Sequence, residues 1–351
     1  MKIIFLIICL SFTRALAFEV PRNLTSGKSN FAWHTYYDGC YSMESFLPAL
    51  PCNPASLIKL RDLKSQTDDK NFYGQIFFGS NVEYVKDVKS ILDNSAKTET
   101  VQRVLNENRS SELEADLEFG SLYKNWAWSF SPSRITYYSL IRDKALPWIS
   151  IYASQEQVLR VQYAKKFGDS FSAGLQLKGV RRQFIFSEFF ITEALTEGGA
   201  DNVLKNKTQN ALFLEPGLTW APENQAYQPQ VSLAIMQLGT VDHRYEGLKT
   251  EPEGQLGLSI KPPSFEDLLE LGIQASLHSQ YNQVHELIRL AASYDLSPVQ
   301  LAGSLNDTHQ NIGVLLKIGP VQAGIIFNHE KYRDILGRSD DLNNYFFQLT
   351  L

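Results

Sequence analysis

The chain has 351 residues, 44% of them hydrophobic, enough to bury a sizeable core. Its formal net charge is −5 and no basic block recurs along it, which argues against nucleic acid as a partner. Aromatic residues reach 12%, mostly Tyr and Phe, a bias that suits strands and membrane interfaces better than helical bundles.

Residues 1–17, MKIIFLIICLSFTRALA, read as a secretory signal. Lys2 is the positive start, residues 3–12 are the apolar stretch, and Ala15 and Ala17 form a small-residue cleavage pattern, so cleavage is expected after Ala17. An uncleaved anchor is the alternative, but about ten apolar residues fall short of the roughly 20 a spanning helix needs. Bulky Ile8 argues against lipidation of Cys9. No later segment approaches the apolar length of a spanning helix.

Residues 18–70 are irregular, with three prolines in FLPALPCNPASL and room for a short helix from Pro54 onward, where proline suits a first helical turn. Cys40 and Cys52 are the cysteines beyond the signal. In an exported chain two nearby cysteines are expected to bridge, two free thiols being the alternative. A zinc site would need more ligands than these and His34 supply. FYGQIFFGS (72–80) reads as a strand. Residues 82–117 are charged and spaced like helix, with Val82, Val85, Val88, Ile91 and Leu92 on one stripe.

From about residue 119 the period is two. In DLLELGIQASLHSQ (267–280), Leu269, Leu271, Ile273, Ala275 and Leu277 take one side, and Glu270, Gly272, Gln274, Ser276 and His278 the other. QVLRVQYAKKF, DSFSAGLQLKG, GQLGLSIK and NIGVLLKIG repeat the pattern, and Gly, Asp, Asn and Pro turns separate segments of about ten residues. Roughly 12 to 15 such segments follow one another to NNYFFQLTL at the C-terminus, where Tyr345, Phe347, Leu349 and Leu351 share a face.

Alternation fits either a soluble sandwich, with the apolar face as its core, or a membrane barrel, with that face against lipid. Export, the number of sequential strands and their short turns favour the barrel. So does strand length, since about ten residues at ~3.3 Å, tilted near 40°, span roughly 25 Å. Trp126, Trp128, Trp148, Tyr163, Trp220 and Tyr294 lie near strand ends, where an aromatic girdle would sit. The expected class is all-β, a transmembrane antiparallel up-and-down barrel in a Gram-negative outer membrane, surrounded by outer-membrane lipid.

LPCNPASLIKL resembles the NPA-x-L signature of the FadL-like superfamily, with Asn53, Pro54, Ala55, Ser56 and Leu57 in the matching places. That superfamily spans long-chain fatty-acid and hydrocarbon transporters, PorV-like proteins and conjugal-transfer TraF-like proteins. LRVQYAKKFGDSFSAGLQLKGV (159–180) also looks like the family's early hairpins. The resemblance implies a plug or hatch over 18–70 and a barrel of about 14 strands over 71–351, interrupted by the helical insertion 82–117. CYSMESFLPALPC departs from the family's Gly-rich approach to the motif, and the long insertion leans toward the TraF-like branch.

Two function classes follow from the resemblance. One is a channel or transporter for small hydrophobic molecules such as fatty acids. The other is a non-transporting barrel that serves as a structural or assembly partner of envelope, secretion or conjugation machinery. Neither needs a cofactor, and an enzyme is not expected. The six histidines show no metal-ligand spacing. Ser276 and His278 share a face but lack an orienting third group or a nucleophile elbow.

The polar strand face carries Arg160, Lys178, Arg182, Glu215, Glu270, Arg289, Lys317 and Glu330, expected toward the lumen because such charges are costly against lipid. A ligand pocket is expected where plug meets wall, built from Phe46, Leu47 and Leu50 with Phe213, Leu287, Leu315 and Ile326.

Overall fold

The structure is a computed structural model that describes residues 31–36, 40–43, 49–59, 70–79, 84–92, 97–107, 111–141, 148–196, 198–222, 225–241, 248, 252–277, 287–331 and 339–351. The expected signal over 1–17 lies outside the described residues, as do Phe46, Leu47 and His278.

A short helix α1 (Phe31–Tyr36) and a 3-10 turn (Pro54–Ser56) precede the first strand, β1 (Lys70–Gly79). Two helices follow, α2 (Tyr84–Leu92) and α3 (Lys97–Glu107). Next come β2 (Ser111–Tyr123), β3 (Trp126–Ile141), β4 (Trp148–Phe167) and β5 (Phe171–Phe190), then the short helices α4 (Ile191–Ala194) and α5 (Gly199–Val203). The remaining strands are β6 (Lys207–Trp220), β7 (Gln230–Met236), β8 (Leu238–Val241), β9 (Glu253–Ile260) and β10 (Leu269–Leu277). The last are β11 (Ile288–Asp295), β12 (Val299–Leu305), β13 (His309–Ile318), β14 (Val321–Lys331) and β15 (Ser339–Thr350).

All pairings are antiparallel and, β7 and β8 apart, join strands that follow one another in sequence; β1 pairs with both β2 and β15, closing the wall. At the seam the Phe72 N–H donates to the Leu351 carbonyl at 3.1 Å. β7 and β8 both pair with β6 and are two halves of one stave, broken at Gln237 where φ is 56°. The wall is therefore a closed barrel of fourteen staves.

Side-chain alternation decides what each face meets. On β10, Leu271, Ile273 and Leu277 are exposed outward, while Glu270, Gln274 and Ser276 are buried inward. The same division runs round the barrel: Leu159, Leu177, Leu214, Leu233, Leu258, Leu290 and Phe347 all point out and are exposed. A wall that shows leucines outward and buries arginines inward is stable only with lipid outside. The fold is that of an outer-membrane barrel, as expected.

Short turns mark one end, including the Gly168–Ser170 turn, where Gly168 adopts a φ of 63° that favours glycine. In barrels of this kind the short turns face the periplasm. At that end Trp126 packs tilted against Tyr163 with ring centroids 4.7 Å apart, and Trp128 and Trp220 are also exposed, so these four form part of a girdle. Tyr294 is half-buried at the same end. Trp148 is not part of it: it sits at the opposite end of β4, packed edge-on against Phe190.

β4 and β5 are 20 residues long, about twice what the lipid belt needs at ~3.3 Å per residue and a tilt near 40°. Their upper halves leave the membrane, and there the outward face is apolar: Ile149, Ile151, Ala153, Ile185 and Phe189. Val88, Ile91, Leu92 and Val101 of α2 and α3, with Ala194 and Leu204, cover these residues in one buried cluster. The helices thus form a collar on the outer side of the tall staves. The helical expectation over 82–117 overran: Ser111–Tyr123 is a strand, because its even positions face the lumen and its odd positions face out.

Candidate functional site: the barrel lumen

The inward face of β2–β6 is layered. Nearest the extracellular end, Tyr138, Tyr152 and Phe184 pack with Leu248, flanked by Leu140 and Phe186. Below them lies an ionic belt. The Arg134 guanidinium, fully buried, donates from Nε to Glu114 at 2.7 Å and from Nη1 to Glu156 at 2.7 Å. Glu156 also accepts from Arg182, which donates to Gln209 at 3.0 Å. A second apolar layer follows, Val158, Val180 and Phe213 beside Ala211. Beneath it a second ionic belt pairs Arg160 with Glu118 and Lys178 with Glu215, the latter at 2.7 Å. The Lys178 ammonium also lies 4.9 Å from the centre of the Phe213 ring.

The alternation follows from strand periodicity. Along β4 the inward residues read Tyr152, Ser154, Glu156, Val158, Arg160, Gln162, and β5 answers in register with Phe186, Phe184, Arg182, Val180, Lys178, Gln176. Charges are tolerated in this dry interior only because each meets opposite charge or a hydrogen-bonding group, since an isolated buried ion costs several kcal/mol.

The N-terminal segment lies inside this wall. The His34 imidazole of α1 is stacked on Phe77 at 4.1 Å and stands 3.1 Å from Glu114 Oε2. Gln230 Nε2 and Ser259 Oγ donate to the Ser42 carbonyl at 2.9 and 3.0 Å, Gln162 Nε2 donates to the Pro51 carbonyl at 2.9 Å, and Ser304 Oγ donates to the Thr35 carbonyl at 2.9 Å. The Leu50 N–H points at Tyr73 Oη, whose hydroxyl donates to Glu118 at 2.9 Å. The Cys40–Cys52 disulfide ties the two lower parts of the segment together, as expected for an exported chain.

The Asn53–Leu57 motif has a definite seat. Asn53 Oδ1 accepts from the Ala55 N–H at 3.0 Å and starts the 3-10 turn with Pro54 in its first position. Asn53 Nδ2 donates outward to the Leu218 carbonyl at 3.2 Å and Thr219 Oγ1 at 3.3 Å. The turn fits because Gly174 and Gly217, directly paired on β5 and β6, carry no side chain toward it; a Cβ on either would collide with Pro54 or Asn53. Ala55 and Leu57 are fully buried beneath it. Nothing local in β5 or β6 announces this slot.

Of the expected lumen residues, Arg160, Lys178, Arg182, Glu215, Glu270 and Arg289 are buried and point inward. Lys317 does not line the deep lumen: it lies at the short-turn rim, partly exposed, 2.7 Å from Asp295. Leu50, Leu315 and Ile326 meet in one apolar cluster with Phe31, Tyr73, Phe77 and Phe346, where the N-terminal segment packs on the wall. Phe213 belongs to the separate layer with Val158 and Val180. Leu287 is half-buried just before β11 and joins neither cluster. Ser276 accepts from Arg289 Nη1 at 2.9 Å and donates to Gln255 at 2.8 Å, a wall contact rather than a nucleophile's setting. Sequence reasoning passed over Tyr138, Tyr152, Phe184, Glu114 and Arg134; period-two counting along β2 would have found Glu114 with its inward neighbours, whereas the register shift between Ser131 and Arg134 reverses the parity of β3 and hides Arg134.

The closed fourteen-stave barrel shares its fold with solved transporter structures. Among solved structures the chain is similar to the toluene transporter TodX of Pseudomonas putida, with a TM-score of 0.53 and 9% identity over 96% of this chain and 99% of that one. It is also similar to the toluene transporter TbuX of Ralstonia pickettii, with a TM-score of 0.55 and 9% identity over 93% and 98%. At such identities the likeness is one of fold. No family model matches the sequence, and no curated protein matches it.

Proposed function

We propose that the protein is an outer-membrane channel for small apolar molecules, with residues 18–70 acting as its plug. The observation that carries this reading is the presence of two inward-facing apolar layers, Tyr138–Tyr152–Phe184 and Val158–Val180–Phe213, interleaved with the ionic belts of the lumen wall. Apolar side chains turned away from lipid need a partner that excludes water. The cluster of Leu50, Leu315 and Ile326 supplies a third apolar surface where plug meets wall. A scaffold barrel with an assembly role needs none of these layers, and the fold shared with toluene transporters supports the channel reading.

The test is extraction of co-purifying apolar molecules from the detergent-solubilised chain, followed by direct titration with alkylbenzenes, alkanes and fatty acids. Saturable binding of at least one of these classes is expected in the full chain, and deleting residues 41–57 is expected to abolish it while heat-modifiable migration, the mark of a folded barrel, persists. No co-purifying molecule and no saturable binding would leave the assembly role as the better reading.

A further inference from the structure

The channel reading leaves the charge of the transported molecule open. We infer that the lumen admits uncharged apolar molecules and turns away their carboxylates, a conclusion that rests on that reading and concerns the same apolar layers. The buried cations of the β2–β6 wall, which flank the apolar layers, are already engaged. Arg134 is held between Glu114 and Glu156, Arg182 contacts Glu156, Arg160 contacts Glu118, and Lys178 contacts Glu215. Glu112 and Asp116, buried on the same inward face of β2, add two further carboxylates, so the described wall of β2–β6 buries more acid than base.

The Val158–Val180–Phe213 layer lies between the two ionic belts. A neutral ring placed there exchanges water for apolar contact and leaves both belts intact. A carboxylate placed there would shed its hydration beside a wall that buries more acidic than basic side chains, and would compete with wall carboxylates for the cations of both belts. Arg160 keeps Nε and Nη2 without hydrogen-bond partners, yet Glu118 contacts its Nη1, so its charge is compensated. These donors can serve a neutral acceptor without making the belt attractive to an anion.

The experiment is a pair of titrations on the full chain in amphipol at pH 7.5, with toluene and with benzoate, which share a ring and differ in charge. Toluene is expected to bind saturably and benzoate at least tenfold more weakly. Glu215→Gln and Glu118→Gln each remove one carboxylate and release Lys178 or Arg160. In at least one of the two, the toluene-to-benzoate affinity ratio is expected to fall fivefold or more, and two variants on different strands guard against one failing to fold. Benzoate binding as tightly as toluene in the unaltered chain would overturn the inference and assign the Arg160 donors to a carboxylate. An unchanged ratio in folded forms of both variants would also overturn it. If neither compound binds, the channel reading itself falls, and the inference with it.

Discussion

Replacing Arg134 by Met should destabilise the barrel by about 3–5 kcal/mol, the cost of leaving buried carboxylates without their partner. Arg134 is fully buried, and its guanidinium joins Glu114 of β2 to Glu156 of β4 through β3. Methionine fills a similar volume, so packing loss is small beside the electrostatic effect. Glu156 would keep Arg182, but Glu114 would retain only His34 among the partners described above. Urea unfolding in detergent measures the loss as a shift of the midpoint. Adding Glu114→Gln to Arg134→Met should recover part of it, because the amide needs no counter-charge. Arg181→Met, on the exposed outward face of β5, should stay within about 0.5 kcal/mol. Equal effects at 134 and 181 would show that the upper ionic belt contributes nothing.

Removing residues 31–59 should turn a closed barrel into an open pore. A fourteen-stave wall is wider than the eight-strand barrel that side chains alone can fill. Here the described parts of the N-terminal segment, 31–36, 40–43 and 49–59, lie within that cross-section. Its anchors reach β1 through Tyr73, β2 through Glu114, β4 through Gln162, β6 through Thr219, β7 through Gln230, β9 through Ser259 and β12 through Ser304. In planar bilayers the truncated protein should conduct small ions at least about tenfold better than the full chain, since barrels of this width leave an aqueous lumen unless it is filled. Gly174→Leu should give an intermediate result: the new side chain collides with the Pro54 carbonyl and evicts the turn without removing the segment. A full chain that already conducts like the truncation would mean that the segment does not occlude the lumen.

Much of the fold was legible because lipid enforces alternation. A membrane strand with one wet face must repeat every second residue, and β10, β13 and β15 do so without exception in their outward leucines, isoleucines and aromatics. The same rule hid β2. Its inward residues Glu112, Glu114, Asp116 and Glu118 alternate with apolar ones, but Glu, Leu and Ala are strong helix formers and the segment follows two real helices, so propensity outweighed period. Trp148 was misplaced because β4 runs on past the membrane, where a strand end is no longer a lipid interface. The run ISIYAS on β4, buried on both faces, is the local mark of the collar; a continuous apolar run in a strand means cover on both sides.

The candidate site was half legible. The turn motif and the cysteine pair could be read locally, and both lie in the segment packed against the inner wall. The seat could not be read, because Gly174 and Gly217 lie more than a hundred residues from Asn53 and look like ordinary strand glycines. The pocket residues divided for a similar reason. Leu315 and Ile326 are neighbours across β13 and β14 and share a layer with Leu50, whereas Phe213 lies across the barrel, on β6 between the ionic belts.

The measurement that bears most directly on the channel reading is the initial rate at which labelled toluene enters Gram-negative cells carrying the full chain, compared with cells lacking it. A faster, saturable rate is predicted, falling to the background of the bare outer membrane when Phe213 and Val180 are replaced together by Asp in a barrel that still reaches the membrane. Equal rates with and without the chain, at matched amounts of folded protein, would contradict the account.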